Sequence, residues 1–272
     1  MAYKTILVQV DDTAAAAARI ALAVRLALDY EAHLVGAVAT GIARYFSDTV
    51  TFDALAPDIA PLAADLRKRA DLALDHFDQV GAAMGLLARE RRRIDDDVAE
   101  GLRLQARYCD LAIVGQDDPG NKAPGESPQE VILGSGCPVL VVPSAGAPAQ
   151  APKRVMLAWN GSAGALRAMR GALPMLRRAS LVQVLVMGET SHGAEPGADL
   201  ALYLARHHIR VEVLQEREDN SPGTIMLERA TEHGSDMLVM GCYGHSRLRE
   251  MLLGGATRTV LATMHLPVLM AH

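Results

Sequence analysis

The chain has 272 residues, half of them hydrophobic and few aromatic, with a net charge of 27 − 32 = −5. That composition is globular rather than disordered and is long enough for two cores. It offers nucleic acid no cationic face, and no apolar run approaches the roughly 18 residues a membrane span needs.

The first strand is expected at Ile6–Asp11, close enough to Met1 that no signal peptide is expected. An alanine-rich amphipathic helix follows at Thr13–Tyr30, then a second strand at His33–Thr40. Pro57 and Pro61 lead into a charged amphipathic helix near Leu62–Met84. Glu90–Ile94 reads as a third strand, with Arg91, Arg92 and Arg93 balanced by Asp95, Asp96 and Asp97 as a solvated strand edge. Asp110–Gly115 is a buried strand, Ser127–Gly134 a short helix, and Cys137–Val142 the last strand of this half. Pro143–Pro152 is rich in Pro, Ala and Gly and reads as a linker.

The same order then recurs. Val155–Asn160 repeats Ile6–Asp11 149 positions later, since 155 − 6 = 149, and Ser162–Arg178 and Ser180–Met187 repeat the first helix and second strand. Asn160-Gly161-Ser162 reads as a turn and helix N-cap rather than a nucleophile, because no GxSxG elbow surrounds Ser162. Gly188–Pro196 replaces the long middle section, and a helix is expected at Ala198–His207 and a strand at Ile209–Leu214. Asp236–Gly241 repeats Asp110–Gly115, a helix is expected at Gly255–Met264, and Leu266–Ala271 repeats Cys137–Val142. Five correspondences in one order identify a tandem duplication, with domains expected at 1–146 and 152–272. Short apolar runs alternating with helices predict an α/β fold of two doubly wound parallel sheets.

The residues that carry chemistry follow the strand Asp236–Gly241. Gly241 is followed by Gly244, and Gly254 stands ten residues later. Glycines there let backbone N–H groups converge on an anion, and the next helix N-terminus adds partial positive charge. This spacing is neither GxGxxG nor GxxxxGK[ST]. It resembles the G-x2-G-x9-G-[S/T] signature of the universal stress protein family, and the likeness covers nearly the whole chain in two copies.

That resemblance implies a five-stranded sheet of order 3-2-1-4-5 in each copy, with last strands pairing across an intrachain pseudo-dimer that leaves room for a homodimer. It implies a bound ATP, with Mg2+, held by Asn160, Met187, Gly241, Gly244, His245, Ser246, Gly254, Gly255, Ala256 and Thr257. Two positions depart from the family pattern: Asn160 replaces the strand-one acid, and Gly255 replaces the hydroxyl after the third glycine. The first copy keeps Asp11 and Asp12, but its loop Gly115–Pro128 has the wrong spacing, three prolines and three acids, so no ATP is expected there.

The function implied is a cytoplasmic, nucleotide-responsive stress regulator with an unidentified protein partner and no catalytic residues. The rival readings are a scaffold of the same fold without nucleotide, and a weak ATPase. Three cysteines without paired spacing fit a reducing compartment, with Cys109 and Cys137 expected as buried small residues and Cys242 as the filler of a tight turn. His207-His208 is read as a helix end rather than a metal pair, and His265 as a helix C-terminal residue.

Overall fold

The computed structural model describes residues 2–43, 60–117, 128–146, 150–187, 197–216, 221–242 and 255–272. The chain divides into two compact units, Tyr3–Cys137 and Pro138–His272. Both are α/β, with mostly parallel sheets flanked by helices.

In the N-terminal unit the strands are β1 (Thr5–Gln9), β2 (His33–Ala39), β3 (Arg89–Ile94) and β4 (Leu111–Gly115). The helices are α1 (Ala16–Tyr30), α2 (Ala60–Ala83), α3 (Val98–Ala106) and α4 (Pro128–Gly134). The sheet order is β3-β2-β1-β4, all parallel, with Ile6 opposite both Leu34 and Leu111. The strand order turns back between β1 and β4, which opens a crevice at the strands' carboxyl ends. The continuous apolar runs of β1, β2 and β4 are buried on both faces, as a covered parallel sheet requires.

Helix α3 escapes the sequence reading. Its N-cap is Asp97, whose carboxylate accepts the Ala99 N–H at 3.0 Å. Helix α2 docks through Phe77, which is fully buried on β2 where Gly36 leaves room: a Cβ at Gly36 would lie 2.7 Å from the ring. Its acidic stripe Asp71, Asp75 and Asp78 faces alternate arginines of β3. Arg93 donates to Asp71 at 2.8 Å, Arg91 to Asp75 at 2.8 Å and Arg89 to Asp78 at 3.1 Å. Helical i, i+4, i+7 spacing meets strand i, i+2, i+4 spacing, so each arginine meets an aspartate, and Arg91 also reaches Asp78 at 3.2 Å. The arginine run is therefore ion-paired to a helix and not merely solvated. On the opposite side of β3, Arg92 meets Glu90 and Gln105.

The second unit begins with β5 (Val139–Val142). There follow β6 (Arg154–Trp159), α5 (Ala163–Leu176), β7 (Leu181–Met187), α6 (Ala198–Arg206), β8 (Val211–Glu216), α7 (Pro222–Glu232), β9 (Met237–Gly241), α8 (Ala256–Thr263) and β10 (Val268–Ala271). The order β8-β7-β6-β9-β10 is the expected 3-2-1-4-5, all parallel. Beyond β10 lies β5, antiparallel, with Leu140 opposite Leu269. The pairing of Val139–Val142 with Val268–Ala271 was expected from the resemblance. Pro138 and Pro267 precede their strands, where a missing N–H costs no ladder bond.

Strand β8 starts two residues later than Ile209, because Leu204, His207 and His208 continue into a turn with His208 at φ 61. Helix α7 is the other element that the sequence reading passes over. Ser221-Pro222 opens it, proline being suited to the first helical turn.

Candidate functional site

The crevice between strands one and four is built twice, once in each unit, and with different chemistry. In the N-terminal unit it closes on a buried arginine. Arg19 sits on α1 within the apolar stripe of Ala16, Ile20, Ala23 and Leu26, and is 2% exposed. Its Nε donates to the Gln9 carbonyl at 2.9 Å, and its Nη2 donates to the Asp11 carboxylate. The other oxygen of Asp11 accepts the Thr13 N–H at 3.1 Å and the Thr13 hydroxyl. Gln9 in turn takes the Gly115 N–H on its side-chain oxygen at 3.0 Å. A Cβ at Gly115 would collide with Arg19 Nη1 and lie 3.4 Å from its Cζ. Glycine is required at the end of β4 because an internal guanidinium occupies that space.

Burial pulls the Arg19 guanidinium below its ordinary value, and the Coulomb attraction and hydrogen bond of Asp11 act in the opposite direction. A buried arginine is tolerable when paired and hydrogen-bonded in this way. Asp11, the acid that keeps the family pattern in the first copy, thus holds a helix in place. Beside it a cavity of about 290 Å³ opens between α1 and α2, with Leu72, Ala73 and His76 on its α2 side. The Arg69–Asp12 pair, at 2.6 Å, bridges the two sides.

In the second unit the matching positions are Ala158 for Gln9, Asn160 for Asp11, Ser162 for Thr13 and Ala168 for Arg19, each 149 residues on. Among the described residues no charge is buried here. Asn160 is exposed, and its side-chain oxygen accepts the Ser162 N–H at 3.1 Å. Ser162 caps α5 by accepting the Ala165 N–H at 3.2 Å, as the Asn-Gly-Ser turn predicts. Gly161 holds a left-handed φ of 71 between them.

With alanine at 168 the helix approaches directly. A Cβ at Gly241 would lie 2.5 Å from the Gly164 carbonyl carbon, and one at Gly164 would lie 3.1 Å from the Cys242 carbonyl oxygen. The glycine ending β9 is thus also demanded by packing. Met187 ends β7, half-buried, with its Cα opposite Glu216.

Helix α8 opens at Gly255, which supplies no side-chain cap, and Thr257 in its first turn is 2% exposed. The N–H groups of such a turn have no intrahelical partner and favour an anionic acceptor. Asn160, Met187, Gly241, Gly255, Ala256 and Thr257 are thus placed at or beside carboxyl strand ends and a helix start. Gly244, His245, Ser246 and Gly254 lie outside the described residues, as do Gly120, Arg247, Arg249, Glu250 and Met251.

Residues 152–272 match the sequence model of the Universal stress protein family. Residues 152–272 thus carry a domain of the universal stress protein family. It is 26% identical over 151 residues to a universal stress protein of Synechocystis, a stretch that is 53% of this chain and about half, 50%, of the relative. Its fold is similar to that of a universal stress protein from Archaeoglobus fulgidus, with a TM-score of 0.77 and 16% identity over 97% of this chain and 94% of that one. A protein of Pseudomonas aeruginosa PAO1 whose function is unknown shares the fold at a TM-score of 0.60 and 15% identity, over 98% of this chain and 92% of that one.

The remaining candidates fall outside any site. Cys109 and Cys137 are half-buried rather than fully buried, and desolvation pushes both thiols up to about 11. Cys242 is the buried one. His207 ends α6 and meets Arg177, while His265 bonds the Thr231 hydroxyl on α7 at 2.8 Å. Among the described residues no cluster of His, Cys, Asp or Glu could hold a metal, and no helix is long and apolar enough to cross a membrane.

Arg19 is the residue that sequence reasoning missed. The available signal was an arginine inside the apolar stripe of an amphipathic helix, eight residues after an aspartate.

Proposed function

We propose that the C-terminal part, residues 152–272, binds an adenine nucleotide, ATP with Mg2+, and that the part spanning 1–146 binds none. The chain then acts as a nucleotide-responsive regulator presented to a protein partner. The observation that carries the reading is α8 opening on Gly255 without a side-chain cap, directly after the Gly241-x2-Gly244-x9-Gly254 spacing. A phosphate would supply the acceptors that the helix start lacks.

The residues present fit such a ligand. Asn160 is exposed, and its amide group remains able to meet a ribose or base while its oxygen holds the Ser162 turn. Gly244, His245, Ser246 and Gly254 complete the set proposed to hold the phosphates. The changes at Asn160 and Gly255 lower affinity without removing the backbone donors: one lost bond to a charged phosphate costs on the order of 1.5–3 kcal/mol. Ser162 serves as a helix N-cap and is not set in a GxSxG elbow, so binding without turnover is the reading favoured here.

Equilibrium dialysis of the full chain with labelled ATP tests the proposal, with one site per chain expected. Gly244→Val should abolish it, because a β-branched side chain would take phosphate space. Gly120→Val should leave it unchanged. Equal losses from both, or no binding by the parent chain, would leave the scaffold reading in its place.

A further inference from the structure

We propose that the N-terminal unit carries a built-in guanidinium site at its β1–β4 crevice and that Arg19 is its permanent intramolecular ligand. The seat has three parts on three elements. The Asp11 carboxylate after β1 and the Gln9 carbonyl within β1 accept from Nη2 and Nε, and Gly115 at the end of β4 leaves the space that Nη1 fills. A compact planar cation with several in-plane donors matches that set, whereas an ammonium ion cannot reach both acceptors in one plane.

The seat buries the guanidinium, with the Arg19 side chain 3% exposed, and leaves only the Asp11 edge partly open. Asp11 is oriented by two bonds from Thr13, and the side chain of Gln9 is tied to the Gly115 N–H. Such support around a cation is what a binding site requires, and here the helix supplies the cation. The corresponding place in the other unit is Ala168, 0% exposed, and the residue matching Asp11 there is the neutral Asn160. One unit is therefore self-liganded, with its β1–α1 turn fixed without any small molecule. This seat is independent of whether the C-terminal unit takes a nucleotide.

The test uses the full chain and the guanidinium ion as probe. Arg19→Ala should lower the melting temperature on the order of 10 °C, because it leaves Asp11 without its counter-charge. Low-millimolar guanidinium chloride, far below denaturing levels, should restore at least half of that loss, and equal sodium or ammonium chloride should not. Adding Asp11→Asn to Arg19→Ala should remove the restoration. ATP stoichiometry should be the same in Arg19→Ala as in the parent, which separates this outcome from any failure of the nucleotide proposal.

A folded Arg19→Ala chain that shows no guanidinium-selective restoration would overturn the assignment. If that variant does not fold even with guanidinium present, Arg19→Met decides, since it keeps much of the volume without the charge. A lowered melting temperature unmoved by guanidinium supports the seat, and a parent-like Arg19→Met overturns it.

Discussion

The two units run the same chain path around the same crevice and solve its packing differently. In the N-terminal unit a long side chain, Arg19, stands between α1 and β4 and requires an acid, a carbonyl and a glycine to receive it. In the C-terminal unit alanine at the same place lets α5 lie backbone to backbone on β9, with Gly164 against Gly241 and Cys242. The difference teaches that an acid retained at strand one need not be available to a ligand. Asp11 is retained and its oxygens are engaged, whereas Asn160 has lost its charge but is exposed.

The sharpest way to break this comparison is to add one methyl group at each β-strand end. Gly241→Ala should cost more than about 3 kcal/mol, because its Cβ would meet helix backbone that cannot rotate away. Gly115→Ala should cost about 1–3 kcal/mol, because the atom it meets ends a side chain. Urea unfolding measures both, and equal costs would show that Arg19 is as rigid as a helix backbone.

A second contrast concerns thiols. Cys109 and Cys137 belong to the N-terminal unit, and burial raises both to about 11. Alkylation by iodoacetamide at pH 8 should therefore run about 100-fold slower than for a free thiol of ordinary pKa. The stability sign follows from the same shift. The folded state favours the neutral thiol, so this contribution is intact below the ordinary thiol pKa and is lost as pH rises towards about 11. Rapid labelling of either peptide by mass spectrometry would contradict the burial.

Two smaller effects compare local devices. Ser162→Ala removes the α5 cap and should cost about 1 kcal/mol in thermal unfolding. The matching Thr13→Ala should cost less, since Thr13 orients Asp11 and caps nothing. Smallest of all, Asp71→Asn should cost roughly 0.5 kcal/mol in dilute buffer and almost nothing at high salt, as expected for an exposed pair.

The duplication and the Ser162 cap were legible in the sequence, because each rests on local period or turn chemistry, whereas the strand order of the second unit came from the family resemblance. Helices α3 and α7 were not. Their apolar positions are few and interleaved with Glu100, Arg103, Glu228 and Arg229, so the caps Asp97 and Ser221-Pro222 were the stronger signals. The arginine run before Ile94 looked like a solvated edge because the partners of Arg91 and Arg93 stand 13 to 22 residues earlier, on α2.

At the candidate site, sequence spacing picked out Gly241 and the α8 start but could not separate two demands on the same glycine. The Gly164 backbone needs the space at Gly241 whether or not a ligand arrives, and only tertiary packing reveals that. Arg19 was hidden for the opposite reason. A charged residue on a helix reads as solvent-facing until the neighbours of that helix are known.

Strand β5 has a practical consequence for anyone who cuts this chain. By sequence it ends the first repeat, yet it pairs with β10 and is grouped with the second unit. A fragment begun at Pro152, where the second domain is expected to start, would leave Val268–Ala271 with a bare row of backbone donors and acceptors along one side. Such an apolar border invites pairing with another copy and precipitation. A fragment begun at Pro138 brings its own cover, so the useful cut lies fourteen residues before the place where the repeat invites one (152 − 138 = 14).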